Sequence, residues 1–142
     1  MAIIFISYSH SDEEAVQLLT PQIQNVYGGN SYWYDTGIQG GVNWWQRIEG
    51  EIQSCQVFLF LMSDKSVDSQ YCIAELRKAL EHRKHILQVL LPTLILQYKD
   101  CFPDDLQSQL KKSQFVDLRK QYDASSGIYK DLSKLWGALE RI

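Results

Sequence analysis

Blocks of apolar residues recur along the chain with spacings that switch between strand-like and helical. "IIFI" at residues 3 to 6, running into "SYSHSD", reads as a buried strand that ends in a polar loop. Over residues 13 to 26, Ala15, Leu18, Leu19, Ile23 and Val26 fall on one helical face; Ser11 or Asp12 is placed to cap that helix, and "YGGN" ends it. "SYWY" is a short aromatic strand, "DTGIQGG" a glycine-rich loop, and residues 43 to 54 a helix burying Trp45, Ile48 and Ile52. "VFLFLM", residues 57 to 62, is apolar at every position, as suits a strand covered on both faces. A helix opens near Ser69 with Cys72, Leu76 and Leu80 inward, widened by Ile73 and Ala79. "HILQVLL" is a fourth strand closed by Pro92; residues 93 to 112 are a loop with short helices around "FPDDLQSQL", and "SQFVDL" is a fifth, edge strand. The last helix is expected at about residues 126 to 140, with Ile128, Leu132, Leu135, Trp136 and Leu139 inward.

Five strands alternating with helices predict an α/β fold: a flavodoxin-like five-stranded parallel sheet, order 2-1-3-4-5, with helices on both faces. A crevice opens where the adjacent first and third strands end, and "SYSHSD" and "SDKSVDSQYC" are the segments that reach it. Glu75, one turn into the helix that follows, leans over the same crevice. On periodicity alone, an acid near a helix N-terminus is also explained as helix surface.

Composition narrows the partners. The 142 residues, 45% hydrophobic and 22% charged, suit one globular domain spanning 1–142. A formal net charge of -3 gives no reason to expect nucleic acid or an anionic membrane as partner. Cys55, Cys72 and Cys101 form no CxxC pair and leave an odd count, and the start of the chain has no basic signal-peptide region, so a reduced, cytoplasmic setting is expected.

Common chemistries fail on the residues present. No GxGxxG follows the first strand, and no GxxxxGK[ST] is present. Asp35 after the second strand suggests a phosphoryl-receiving acid, yet no acidic pair ends the first strand. Ser9, His10 and Asp12 lie too close on one loop for a catalytic relay. His82 and His85 lack a third ligand nearby, so they read as surface histidines and no metal site is expected.

Four segments in register, "IFISYSHSDEE", "YWYDTGIQGGVNW", "VFLFLMSDKSVDSQYCIAEL" and "ILQVLLP", resemble the Toll/interleukin receptor (TIR) domain family, in particular its short, glycine-rich bacterial forms. The resemblance implies the fold derived above. In the enzymatic branch of that family a glutamate, here Glu75, cleaves the nicotinamide-ribose bond of NAD+, which is the substrate; no cofactor is required. Tyr71 stands where many enzymatic members carry tryptophan. Tyr8 or Tyr71 would offer a flat surface to the substrate, Ser9 or His10 polar contacts, with Asp35 and Trp44 completing the implied binding set. Ile38, Gln39 and Gly40, in the loop resembling the family's BB loop, are implied to contact another TIR domain in homotypic assembly. The products would be nicotinamide and either ADP-ribose or a cyclic isomer, in immune or antiphage signalling, and any sensor would lie beyond residue 142. The alternative is a non-enzymatic TIR-TIR interaction module, in which Tyr71 packs at the core edge, Ser69 caps its helix and Asp35 ends its strand by an Asx turn.

Overall fold

A computed structural model describes residues 3–36 and 43–142. Its main sheet is parallel, in the order β2-β1-β3-β4-β5, formed by β1 (Ile4–Ser7), β2 (Tyr32–Tyr34), β3 (Val57–Met62), β4 (His85–Leu90) and β5 (Gln114–Asp117). The predicted order is therefore the observed one. The period-two alternation of side chains divides the core cleanly. Phe58, Phe60 and Met62 of β3 face α2 (Trp44–Ser54), α3 (Gln70–Glu81) and α4 (Asp104–Leu110). Val57, Leu59 and Leu61 face α1 (Glu13–Tyr27) and α5 (Ser133–Glu140). All six β3 residues are buried, which is why that strand has no polar position to spare.

One polar side chain interrupts the buried face of β4. Gln88, fully buried, donates from Nε2 to the Leu110 carbonyl at 3.2 Å and accepts from the Tyr98 hydroxyl at 2.7 Å. The α3–β4 turn is closed by paired backbone bonds, Arg83 N–H to Leu80 and Lys84 N–H to Ala79, both 3.0 Å. That motif needs a left-handed residue just past the helix, and Arg83 supplies it at φ 57.

Three expectations are corrected. The last helix does not begin at 126: Tyr122–Asp123 (β6) and Ile128–Tyr129 (β7) form a small antiparallel hairpin, and α5 starts only at Ser133. The Asp123 carboxylate accepts from Ser125 N–H at 3.0 Å and Gly127 adopts φ +71, so turn chemistry overrides the helical spacing of Ile128, which is 52% exposed. Val26 is 52% exposed as well, because the inward stripe of α1 ends at Ile23. Asp12 does not cap α1; Ser9 caps the short 3-10 turn before it, accepting from Ser11 N–H at 3.3 Å. The Asp12 carboxylate turns inward, accepting from the Ser63 hydroxyl and, at 3.2 Å, from Thr93. It thereby ties together the loops that follow β1, β3 and β4. No helix among the described residues is long and apolar enough to cross a membrane.

Candidate active site

At the carboxyl ends of β1 and β3 the fold leaves a cleft of about 130 Å³. Its position follows from topology, since the crossovers leaving β1 and β3 run to opposite faces of the sheet. Glu75 and all six residues expected to contact substrate line it: Tyr8, Ser9, His10, Asp35, Trp44 and Tyr71. Trp45, Ile48 and Cys72, read in the sequence as inward-facing core positions, also line it. The volume lies below the roughly 300–1,000 Å³ of pockets that enclose a drug-sized ligand, so among the described residues it admits a ring-sized group.

Glu75 reaches this cleft because Ser69 fixes the start of α3, accepting from Cys72 N–H at 3.3 Å. Before it, Ser63 and Ser66 bracket the loop reciprocally: Ser63 N–H donates to Ser66 Oγ at 2.8 Å and Ser66 N–H to Ser63 Oγ at 3.0 Å. Position 75 then falls on the buried side of the helix, and Glu75 is only 7% exposed. Its carboxyl Oε1 accepts from Ser7 Oγ at 2.9 Å. Burial pushes the Glu75 carboxyl up to about 8; the Ser7 hydroxyl opposes that shift and Asp35 adds to it. An acid held this way is largely protonated at neutral pH.

The walls are aromatic. Trp44 and Tyr71 meet edge to face with centroids 5.2 Å apart, and Tyr71, 53% exposed, forms the rim. Trp44 is held by Nε1–H donating to Asp35 Oδ2 at 3.2 Å. Opposite, the Tyr8 hydroxyl donates to the Asp35 carbonyl at 2.8 Å, while His10 stands edge-on to the Tyr8 ring at 5.6 Å. Tyr8 is pushed up to about 12, first by burial and then by Glu13, Tyr34, Asp35 and Glu75, so it remains a neutral phenol. Burial likewise pushes the Cys72 thiol up to about 11, with Glu75 reinforcing it against the Ser69 and Ser7 hydroxyls. Cys72 is therefore no thiolate nucleophile.

Asp35 is not an isolated strand terminator, since its side chain and its carbonyl both organise the cleft. Ser9 lines the cleft while also serving its local cap. His82 and His85 lie at the opposite, amino-terminal end of β4. Ile38, Gln39 and Gly40, expected at an interface, fall outside the described residues. Ser7 is the residue that sequence reading missed. Its signal was a polar side chain ending an apolar strand on the same face as Phe5, the face that α3 covers.

Comparison with known proteins agrees with the architecture. Residues 4–132 match the family model described as TIR domain. The protein y4lF of Sinorhizobium fredii is 30% identical over 103 residues, covering 70% of this chain and 32% of its own length, so the chain spans about a third of that relative. The crystal structure of the TIR domain of the Toll-related receptor TRR-2 from Hydra magnipapillata superposes with a TM-score of 0.66 at 17% identity, over 99% of this chain and 97% of that one. The TIR domains of the activated Roq1 resistosome, which directly recognises the pathogen effector XopQ, superpose with a TM-score of 0.57 at 18% identity, over 100% and 99% of the two chains.

Proposed function

The chain belongs to the TIR domain family, and from that premise we propose that it cleaves the nicotinamide-ribose bond of NAD+ through Glu75, in cytoplasmic immune signalling of the antiphage kind. The observation that carries this reading is the buried carboxyl of Glu75 in an aromatic cleft whose other carboxylate among the described residues, Asp35, is engaged by Trp44. Ordinary glycosidases use two carboxyl groups because their leaving group must be protonated. Nicotinamide in NAD+ is already cationic and departs neutral, taking the electron pair of the broken C1′–N bond. One carboxylate then suffices to stabilise the positive charge that develops on the ribose. Water adding to C1′ gives ADP-ribose and releases a proton; an adenine nitrogen adding there gives a cyclic isomer.

The cleft suits the charged end of the substrate. Trp44, Tyr71 and Tyr8 offer ring faces and edges to a flat cation, and a positive ring beside Glu75 favours its ionised form. A cleft of about 130 Å³ supports a reading in which the nicotinamide ring is the part of the substrate that it takes. Homotypic assembly, with Ile38, Gln39 and Gly40 contacting a second TIR domain, would raise activity by favouring the productive conformation.

Incubating NAD+ with the protein at rising concentration, and following nicotinamide by chromatography, tests the reading. Release should increase more than proportionally with protein and fall at least about 100-fold in Glu75→Gln, a loss typical of removing a transition-state charge stabiliser. Unchanged release in that variant overturns the assignment. Tyr71, in place of the tryptophan common among enzymatic relatives, favours the second reading, a TIR-TIR scaffold without chemistry. Association without any nicotinamide release would select it.

A further inference from the structure

We propose that Ser7 is the positioning residue for Glu75: its buried hydroxyl holds Oε1 and thereby turns Oε2 toward the cation that enters the cleft. The proposal rests on the reading of Glu75 as the carboxylate that meets substrate. Ser7 ends β1, is 1% exposed, and lies 68 positions from Glu75, yet its Oγ donates to Oε1 at 2.9 Å. β1 pairs with β2 and β3, and Ser7 itself is in register with Phe60 of β3, so the donor is carried by the sheet. The carboxyl is thus referenced to the sheet as well as to its own helix.

The two carboxyl oxygens consequently differ. Oε1 is engaged by Ser7, whereas no described residue donates to Oε2. Among the described residues the one buried side-chain nitrogen or oxygen without a partner is Gln107 Oε1, so Oε2 of Glu75 is not sealed in; it opens to the cleft that Glu75 lines. The proton of the neutral acid, and later the contact with a cation, therefore belong to Oε2. Besides Oε1, the Ser7 hydroxyl neighbours the Cys72 thiol, a weak partner kept neutral by burial, so its contact with the carboxyl is the one that bears on charge.

The same bond also acts on ionisation. A donor to the carboxylate favours its charged form, while burial and Asp35 favour the neutral one. The remaining titratable groups at the cleft are Tyr8 and His10 after β1, and Tyr71 and Cys72 on α3; no lysine or arginine lines it among the described residues. Ser7 is thus the group at the carboxyl that favours the anion before substrate arrives.

Ser7→Ala tests this with two readouts. The titration of the Glu75 side-chain carboxyl, followed by carbon-13 NMR, should move up by about one pH unit, the scale of one hydrogen bond to a charged group. The alkaline-going limb of kcat/KM for NAD+ should move by the same amount, giving about a tenfold loss at neutral pH that is recovered at high pH. Ser7→Thr, which keeps the hydroxyl, should restore both. Ser7→Cys, a weaker donor, should fall between, and it carries the test if the alanine variant does not fold. A Glu75 titration unmoved in these variants, or an equal fractional loss of activity at every pH, overturns the proposal. If the wild type releases no nicotinamide, the proposed function fails, and the NMR titration alone decides the role of Ser7.

Discussion

Replacing Glu75 by glutamine should make the protein more stable, and by an amount that grows with pH. The folded protein holds the Glu75 proton up to about pH 8, against a value of 4.5 for the carboxyl in its unperturbed form. Between those values the native state binds a proton that the unfolded chain has released, so stability falls as pH rises through the window. At pH 4 both states are protonated and the group contributes almost nothing. pH 7 lies about 2.5 units above the unfolded value of the carboxyl and still below its folded one, which at 1.36 kcal/mol per unit is a cost of about 3 kcal/mol. Glutamine has the same shape, retains an oxygen for the Ser7 hydroxyl and has no proton to release. Its advantage should therefore rise from near zero at pH 4 to about 3 kcal/mol at pH 7, or about 10 °C in Tm at this chain length. Urea denaturation of both proteins at pH 4, 5, 6, 7 and 8 measures the difference directly. Other carboxylates whose values are lowered in the fold, such as Asp117 beside Arg119, titrate equally in both proteins and cancel. A difference that does not change with pH, or a glutamine variant that weakens as pH rises, refutes the reasoning. The expected outcome is a functional site that costs stability, as carboxyls held for chemistry commonly do.

Two further substitutions probe the scaffold around the site. Asp12→Ala should cost about 2–4 kcal/mol in urea denaturation, because the Ser63 and Thr93 hydroxyls lose a charged acceptor in a buried place; a cost below about 0.5 kcal/mol would mean that the three loops are not braced through it. Arg83→Gly should stabilise by about 0.5–1 kcal/mol, since glycine adopts the φ of 57 that arginine holds at a steric cost; lower stability in thermal or chemical denaturation would show that the arginine side chain repays that cost.

The sheet was legible because its strongest signals are local. Six consecutive apolar residues in β3 require cover on both faces, and helical stripes on either side of that strand supply it. The cleft residues were legible once the strand order placed two loops together and the family resemblance weighted Glu75. Burial of Glu75 was less so, because position 75 lies at the edge of the helical stripe and only the packing of α3 onto β1 decides on which side it falls. Ser7 was hidden for the same reason: the carboxyl it holds is 68 residues away. At the carboxyl-terminal end, Ile128 matched a helical period by coincidence, and the Asp123 to Gly127 turn overruled it. Asp12 carries a cap residue's identity, but buried hydroxyl donors on two distant loops outcompeted the helix end for its carboxylate.

Gln88 acts as an address label within the sheet. Sliding β4 past β3 by two residues would leave each side chain on the same face of the sheet, so the alternation alone does not fix the register. That slide would carry the Gln88 amide away from the Leu110 carbonyl and the Tyr98 hydroxyl, at about 1–3 kcal/mol for each buried group left unmet. Hydrophobicity drives β4 into the protein's interior, and a single amide tells it where to stop. Because β4 pairs along the whole of β3, and β3 leads through its loop into the helix that carries Glu75, the amide also steadies the strand on which the cleft's acid depends.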